Sequence, residues 1–275
     1  MTDFYEDEHF SEDFPNHKLV YGPVKSWRFG QSLGIDPIFK TSTCSFNCIY
    51  CQLGNIQKVT SQLDNFVPTE KVIKDFEAVL NKGKVIDVIT YSGSGEPTLA
   101  ANLGDIIDGI RKIAPQIPQY ILTNGTHLAI PSIQKTLNKL DKVIVKLDAW
   151  DEKSLSLINR ADKDVDFNKL IEGILSFASQ YEGSLEVQTM FMPINIEKDL
   201  QAYAQILARI NPEVVQLNTP KRPYPLSWHR ENRGNHLGIH HHEVRELKTI
   251  TSEQAKKIEE DLREITGLNI LSIYR

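Results

Sequence analysis

Between residues 68 and 220 the chain alternates between two apolar periods, and few folds accommodate that order. A helix-spaced set, Val72, Phe76, Val79 and Leu80, opens behind Pro68-Thr69-Glu70. It gives way to an apolar, β-branched run at 85–91 that stops in a Gly/Ser turn. The exchange repeats. Leu103, Ile106, Ile107, Ile110 and Ile113 precede a short strand that stops at Asn124-Gly125, and Ile133, Leu137 and Leu140 precede the run "KVIVKLDAW". Asp166 reads as the N-cap of a helix carrying Leu170, Ile171, Ile174 and Leu175, followed by a strand at 185–192. Leu200, Tyr203, Leu207 and Ile210 mark the next helix, and 213–220 the last strand of the series.

Strands separated by helices of 10–15 residues build βαβ units and a parallel sheet. With residues 37–44 as the first strand there are six units, where a closed TIM barrel needs eight. The expected fold is α/β, an open, TIM-like (βα)6 partial barrel over 37–222. An N-terminal extension covers 1–36, and a C-terminal loop and helix at 223–275 pack on the barrel. The late helix starts near Thr251, with Gln254 completing a capping box, and stops at Gly267. Cys44, Glu96, Asn124-Gly125, Asp148 and Asn218 gather at the C-terminal ends of the expected strands, where barrel active sites form.

The chain's three cysteines all lie in "CSFNCIYC", at Cys44, Cys48 and Cys51. An odd, clustered set makes a poor disulfide framework, and the reducing cytoplasm is the expected compartment. The acidic start of the chain does not resemble a signal peptide, and no apolar run is long enough for a membrane helix. A net charge of −5 argues against a generally basic surface but leaves room for a local nucleic-acid site. Three close thiols fit a metal site with one ligand missing. Zinc would need a fourth ligand, which the histidines at 236, 240, 241 and 242 could supply. An iron–sulfur cube held by three thiolates would keep one iron open.

The spacing Cys-x3-Cys-x-aromatic-Cys resembles the signature of the radical S-adenosylmethionine enzymes. The resemblance implies a [4Fe–4S] cluster on Cys44, Cys48 and Cys51, whose open iron takes the methionine end of S-adenosylmethionine. It implies reductive cleavage to a 5′-deoxyadenosyl radical that abstracts hydrogen from a substrate. A one-electron donor of the flavodoxin or ferredoxin type is implied as a partner. Tyr50 falls at the family's adenine-facing aromatic position. Ser94-Gly95-Glu96 resembles the turn that binds the methionine amino group, with Ser replacing a Gly. Asn124, Lys146, Asp148 and Arg160 fall where relatives contact the ribose, methionine or carboxylate, and Gln188, a polar residue mid-strand among apolar neighbours, reads as a further cofactor contact. The exact reaction, as oxidoreductase, transferase or lyase, stays open.

The stretches at 21–37 and 215–223 also resemble small enzymes related to the tRNA wyosine-base synthases. Arg28, Asn218 and Arg222 would then face the barrel mouth as substrate residues. The second set of cysteines those synthases carry is missing here. Lys221, Arg222, Arg230 and Arg233, interleaved with Tyr224, Trp228 and histidines, form a pattern suited to RNA, which makes a tRNA base one candidate substrate. A peptide or small metabolite is the alternative, and a non-catalytic iron–sulfur or zinc sensor is the reading from another class.

Overall fold

The computed structural model describes residues 18–193, 196–220, 222–233 and 242–273. Lys221, His236, His240 and His241 lie outside the described residues, as do the first 17 positions of the expected N-terminal extension.

One eight-stranded sheet carries the fold, and its strands lie side by side in chain order. An antiparallel hairpin of β1 (Val20–Ser26) and β2 (Gly30–Ile35) starts it. The parallel strands β3 (Val88–Tyr91), β4 (Gln119–Thr123), β5 (Lys142–Lys146), β6 (Ser184–Met190) and β7 (Val214–Asn218) follow. The last strand, β8 (Ile270–Ser272), pairs with β7 in parallel. β1 and β8 remain as two edges, so the barrel is open.

The connecting helices follow the apolar periods. They are α1 (Thr69–Leu80), α2 (Leu103–Ile113), α3 (Pro131–Leu137), α4 (Phe167–Ala178), α5 (Ile196–Ile210) and α6 (Ser252–Thr266). Asp166 caps α4 by accepting from the Lys169 amide at 2.9 Å. Thr251 and Gln254 form the capping box of α6, and Gly267 ends it in the left-handed region at φ 69°. Val145, Val187 and Val215 line up across the sheet, and with Ile89 and Ile121 they are fully buried and pack with the apolar faces of the helices. Each such side chain contributes about 1.5–3 kcal/mol on burial. No described helix is long and apolar enough to cross a membrane.

Two expectations change. The first barrel strand is Gly30–Ile35, not residues 37–44, which run as a connector in which only Thr43–Cys44 pairs, with Lys58–Val59. Pro37 cannot donate to a ladder, and Asp36 turns the chain by accepting from the amides of Ile38 (3.0 Å) and Phe39 (2.9 Å). The true strand hides its period behind glycine: the Tyr21 ring occupies the place of a Cβ on Gly34. The sheet thus begins inside the expected extension. It also ends inside the expected C-terminal loop and helix, where β8 adds a seventh parallel strand.

Candidate active site

The cysteine loop is anchored on two sides by backbone hydrogen bonds. At the end of β3, the Thr43 amide donates to the Ser94 carbonyl (3.1 Å) and the Glu96 amide to the Thr43 carbonyl (3.0 Å). Residue 95 must be glycine for this, because a Cβ there would fall on the Thr43 carbonyl oxygen. On the other side, the amides of Asn47 and Ile49 donate to the carbonyls of Asn159 (2.9 Å) and Ile158 (3.0 Å). Those carbonyls belong to a single wide helical turn, Leu155–Asn159, that follows β5 and ends at Arg160 with φ 46°.

The loop leaves Cys44, Cys48 and Cys51 half-buried and free of disulfides. Nitrogen donors surround the sulfurs. Cys44 Sγ accepts from the Phe46 amide at 3.4 Å and from Asn124 Nδ2 at 3.6 Å, and Cys48 Sγ accepts from Asn159 Nδ2 at 3.3 Å. Burial pushes all three thiols up, Cys48 to about 12, with Glu96 adding to the effect at Cys44 and Asp148 at Cys48. Among the described residues no three His, Cys, Asp or Glu side chains converge tightly enough to hold one metal ion. A tetrahedral zinc site draws its thiolates within about 4 Å of one another. Thiols not gathered around one ion, with N–H donors on the Cys44 and Cys48 sulfurs, fit a multi-iron cluster better, since such donors tune its potential.

Two buried carboxylates stand on either side of the loop. Glu96 Oε1 accepts from the Thr98 amide (3.0 Å), Thr98 Oγ1 (2.7 Å) and Thr123 Oγ1 (2.7 Å), and Oε2 accepts from the Asn124 amide (2.7 Å). The first oxygen is saturated and the second keeps a lone pair. Glu96 lines a cavity of about 190 Å³ together with Cys44, Cys48, Asn124, Lys146 and Gln188. An ammonium group is the ligand such an oxygen fits. Asp148 gathers Lys146 Nζ, the Tyr50 hydroxyl, Asn159 Nδ2 (2.8 Å) and the Met190 amide (2.7 Å). Burial lowers the Lys146 ammonium from its usual range while the Asp148 carboxylate works against it. Burial, with Asp148 adding, holds the Tyr50 phenol well above its usual range, so it stays a donor.

A second cavity, of about 1130 Å³, continues from the first. Lys146 and Gln188 line both, and residues of both edge strands, Tyr21 and Val24 on β1 and Leu271 and Ser272 on β8, line the larger. Tyr50, Asn218 and Arg222 line this space. Gln188 is hydrogen-bonded at 3.1 Å to Gln216, which donates in turn to Glu186, the partner of Lys142.

Three expectations are corrected. The Ser94 hydroxyl turns away from the cofactor space and donates to buried Asp36 at 2.6 Å. Arg160 is exposed and lines neither cavity; its neighbour Asn159 faces the sulfur instead, a distinction set by the wide turn and invisible to residue spacing. Arg28 does line the larger cavity, but from the β1–β2 turn, at the opposite end of the barrel from the mouth. There the neighbouring Phe29 ring meets Tyr120 edge-on at 5.3 Å, at the start of β4.

The basic segment also changes meaning. Arg233 is buried, with Nη1 on Asp36 Oδ2 at 2.5 Å and Nη2 on the Lys18 carbonyl at 2.9 Å. Arg230 is buried too, with its Nη2 on the Lys40 carbonyl at 2.9 Å and its guanidinium 4.5 Å from the Phe39 ring. Both strap the C-terminal segment over the connector at 36–40. Tyr224 is buried and donates to Asn55 at 2.6 Å. His242 stacks on His229, with ring centroids 3.6 Å apart.

The described radical SAM superfamily model matches residues 38–206, more than half of the chain. A UPF0026 protein of Synechocystis sp. is 39% identical over 253 residues, covering 91% of this chain and 94% of the relative. A GTP 3′,8-cyclase of Chlorobaculum tepidum is 31% identical over 153 residues, 55% of this chain and 44% of the relative. A solved structure, native anSMEcpe with bound AdoMet, superposes with a TM-score of 0.60 at 18% identity, over 88% of this chain and 64% of the other. The chain thus spans less than two thirds of the last two, and the structural likeness speaks for the fold. A cysteine loop anchored above an open parallel barrel, together with a family match across most of that barrel, places this chain in the radical SAM superfamily.

Proposed function

We propose that the protein is a radical S-adenosylmethionine enzyme that acts on a small molecule admitted to the 1130 Å³ cavity. The observation that carries this reading is the continuity of the two cavities. Lys146 and Gln188 belong to both, so a cofactor beside the cysteines and Glu96 shares a wall with whatever fills the larger space. Cys44, Cys48 and Cys51 would hold a [4Fe–4S] cluster, Glu96 the methionine ammonium, and Tyr50, Lys146, Asp148 and Gln188 the rest of the cofactor. The chemistry this pair supplies when bound is one-electron cleavage of the sulfonium bond and hydrogen abstraction by the resulting 5′-deoxyadenosyl radical.

The protein's own part is positioning and exclusion of water. Asp148 holds both Tyr50 and Lys146, and Asn159 ties that carboxylate to the Cys48 sulfur. Glu96 is held rigid by four donors, so its free lone pair has one direction. Arg230 and Arg233 hold the C-terminal segment over the cavity side, which shelters the radical chemistry from solvent. The same two contacts weaken the RNA reading, because two of the arginines that suggested it are buried in the protein. A flavodoxin or ferredoxin would supply the electron.

The test is anaerobic reconstitution followed by reduction in the presence of S-adenosylmethionine. We expect absorbance near 400 nm and 5′-deoxyadenosine, with both lost in Cys48→Ala. Release stimulated by a small-molecule fraction of host extract supports the reading. Stimulation by bulk tRNA alone would return the substrate to RNA.

A further inference from the structure

The large cavity has a charge pattern that the cofactor does not account for. Lys25, Arg28, Lys146, Arg222 and Arg233 all line it, and among the described residues no aspartate or glutamate does, in a chain of net charge −5. Two of these cations are answered from behind the wall, Lys146 by Asp148 and Arg233 by Asp36. Arg222 donates to neutral oxygens, Gln52 Oε1 and the Asn232 carbonyl, both at 3.2 Å. Lys25 is exposed.

Arg28 differs from all of them. Its guanidinium has no hydrogen-bond acceptor among the described residues, and its Nε is fully buried without a partner. The side chain is fixed between aromatic rings, Trp27 and Phe29, each 5.2 Å from the guanidinium carbon. A guanidinium carries a planar fork of five N–H donors, and leaving the buried Nε donor unused is costly. The nearest countercharge it feels is Glu186, which is already engaged by Lys142 and Gln216. Burial lowers Arg28 to about 10 with Glu186 opposing, which leaves it charged at neutral pH.

We infer that the cavity floor is an anion site, in which Arg28 grips a phosphate or carboxylate of the substrate while the rest of that molecule rises toward Lys146 and Gln188. The inference rests on the small-molecule reading above and narrows its substrate to an anion. The strand geometry sets the size. Glu186, at the level of Arg28, and Gln188, at the level of the cofactor space, are two residues apart on β6, about 7 Å along a strand. Lys146 senses the Arg28 charge, as two cations facing one lumen do. A compact anionic metabolite spans that distance. The Trp27 and Phe29 rings flank the grip at one end, and Asn218 and Thr219, whose buried hydroxyl has no partner among the described residues, line the other.

The test uses the cluster-loaded protein saturated with S-adenosylmethionine, titrated calorimetrically with inorganic phosphate and, separately, with acetate. Wild type is expected to bind at least one of them at millimolar concentration. Arg28→Gln is expected to weaken that binding at least tenfold, and Arg28→Lys, which keeps the charge and loses the fork, to fall between. Preference for phosphate or for acetate identifies the group the substrate carries. If neither anion binds wild type, or if Arg28→Gln binds as wild type does, the inference is wrong. The same holds if the anion competes with S-adenosylmethionine, because it would then occupy the cofactor's carboxylate position. Should Arg28→Gln fail to fold, unchanged affinity in Arg28→Lys overturns the fork just as well. Formation of 5′-deoxyadenosine by the same wild-type preparation is read separately, so loss of the enzyme reading and loss of the anion site leave different records.

Discussion

Replacing Arg233 with methionine removes one half of an ion pair whose members are 1% and 0% exposed at the side chain. Asp36 would keep the amides of Ile38, Phe39 and Ser94 and the Ser94 hydroxyl, but its negative charge would lose the one cation that pairs with it among the described residues, in a buried site. Breaking a buried pair on one side costs about 3–5 kcal/mol. For a chain of this size about 2–3 °C of melting temperature accompanies each kcal/mol, so thermal unfolding should occur about 6–15 °C lower. The loss is not only electrostatic. The Arg233 guanidinium lies 4.6 Å from the Tyr21 ring and holds the Lys18 carbonyl, so β1 loses its brace as well. Arg233→Met, Asp36→Asn and the double variant, followed by thermal unfolding of the cluster-loaded protein, close a double-mutant cycle. A coupling of about 2 kcal/mol is expected, since each single change strands the other partner. Lys257→Met, in an exposed i,i+4 pair with Asp261, serves as the comparison and should stay within about 0.5 kcal/mol. A fall of less than about 2 °C in Arg233→Met, or strict additivity in the cycle, would refute the claim that this pair fastens the C-terminal segment.

Asn159→Ala should lower the cluster's reduction potential, read by anaerobic redox titration, because the Cys48 sulfur loses its amide donor, whereas Arg160→Ala should leave the potential where it is. Gly95→Ala should cost about 3 kcal/mol and reduce iron and sulfide content together, since the new methyl group drives the Thr43 carbonyl out of its pairing with β3. Asp148→Asn should weaken S-adenosylmethionine binding at least tenfold in equilibrium dialysis. The same change should move Lys146 titration lower still: burial depresses this ammonium and Asp148 opposes that effect, so without the carboxylate the neutral amine persists to lower pH. The pH profile of Lys146 acylation checks the sign, and a shift upward contradicts it. Below its folded value, the charged Lys146 is a burden on the native state that Asp148 offsets, so the variant's stability deficit should shrink as pH rises through the titration.

Much of this molecule is legible without coordinates. The six helix periods and five of the strands fall where the apolar spacing puts them, and the caps at Asp166, Thr251 and Gly267 end helices as their chemistry requires. Such signals are local: a residue a few positions away carries the complementary half. The three thiols, Glu96 after β3 and Asp148 after β5 are likewise tied to strand ends, and a parallel sheet brings strand ends to one rim whatever the loops do.

Where the sequence misled, the deciding contact was one that spacing does not show, and for the charged and polar side chains it lay far along the chain. Residues 30–35 conceal a strand because Gly34 makes room for Tyr21, and residues 37–44 imitate one until Asp36 turns them. Ser94 looked like part of a cofactor turn; its partner, Asp36, is 58 positions away. Arg230 and Arg233 looked like an RNA-binding surface, yet their acceptors at Lys40 and Asp36 are nearly 200 positions away. Arg28 could be seen to be cationic but not to be without an acceptor, since that depends on every neighbour at once. Period, capping and motif spacing are properties of short segments, and the sequence determines them by itself. The assignment of each charge to a partner, a wall or an open cavity is decided only when distant segments share one interior, because there a polar group has no water to turn to.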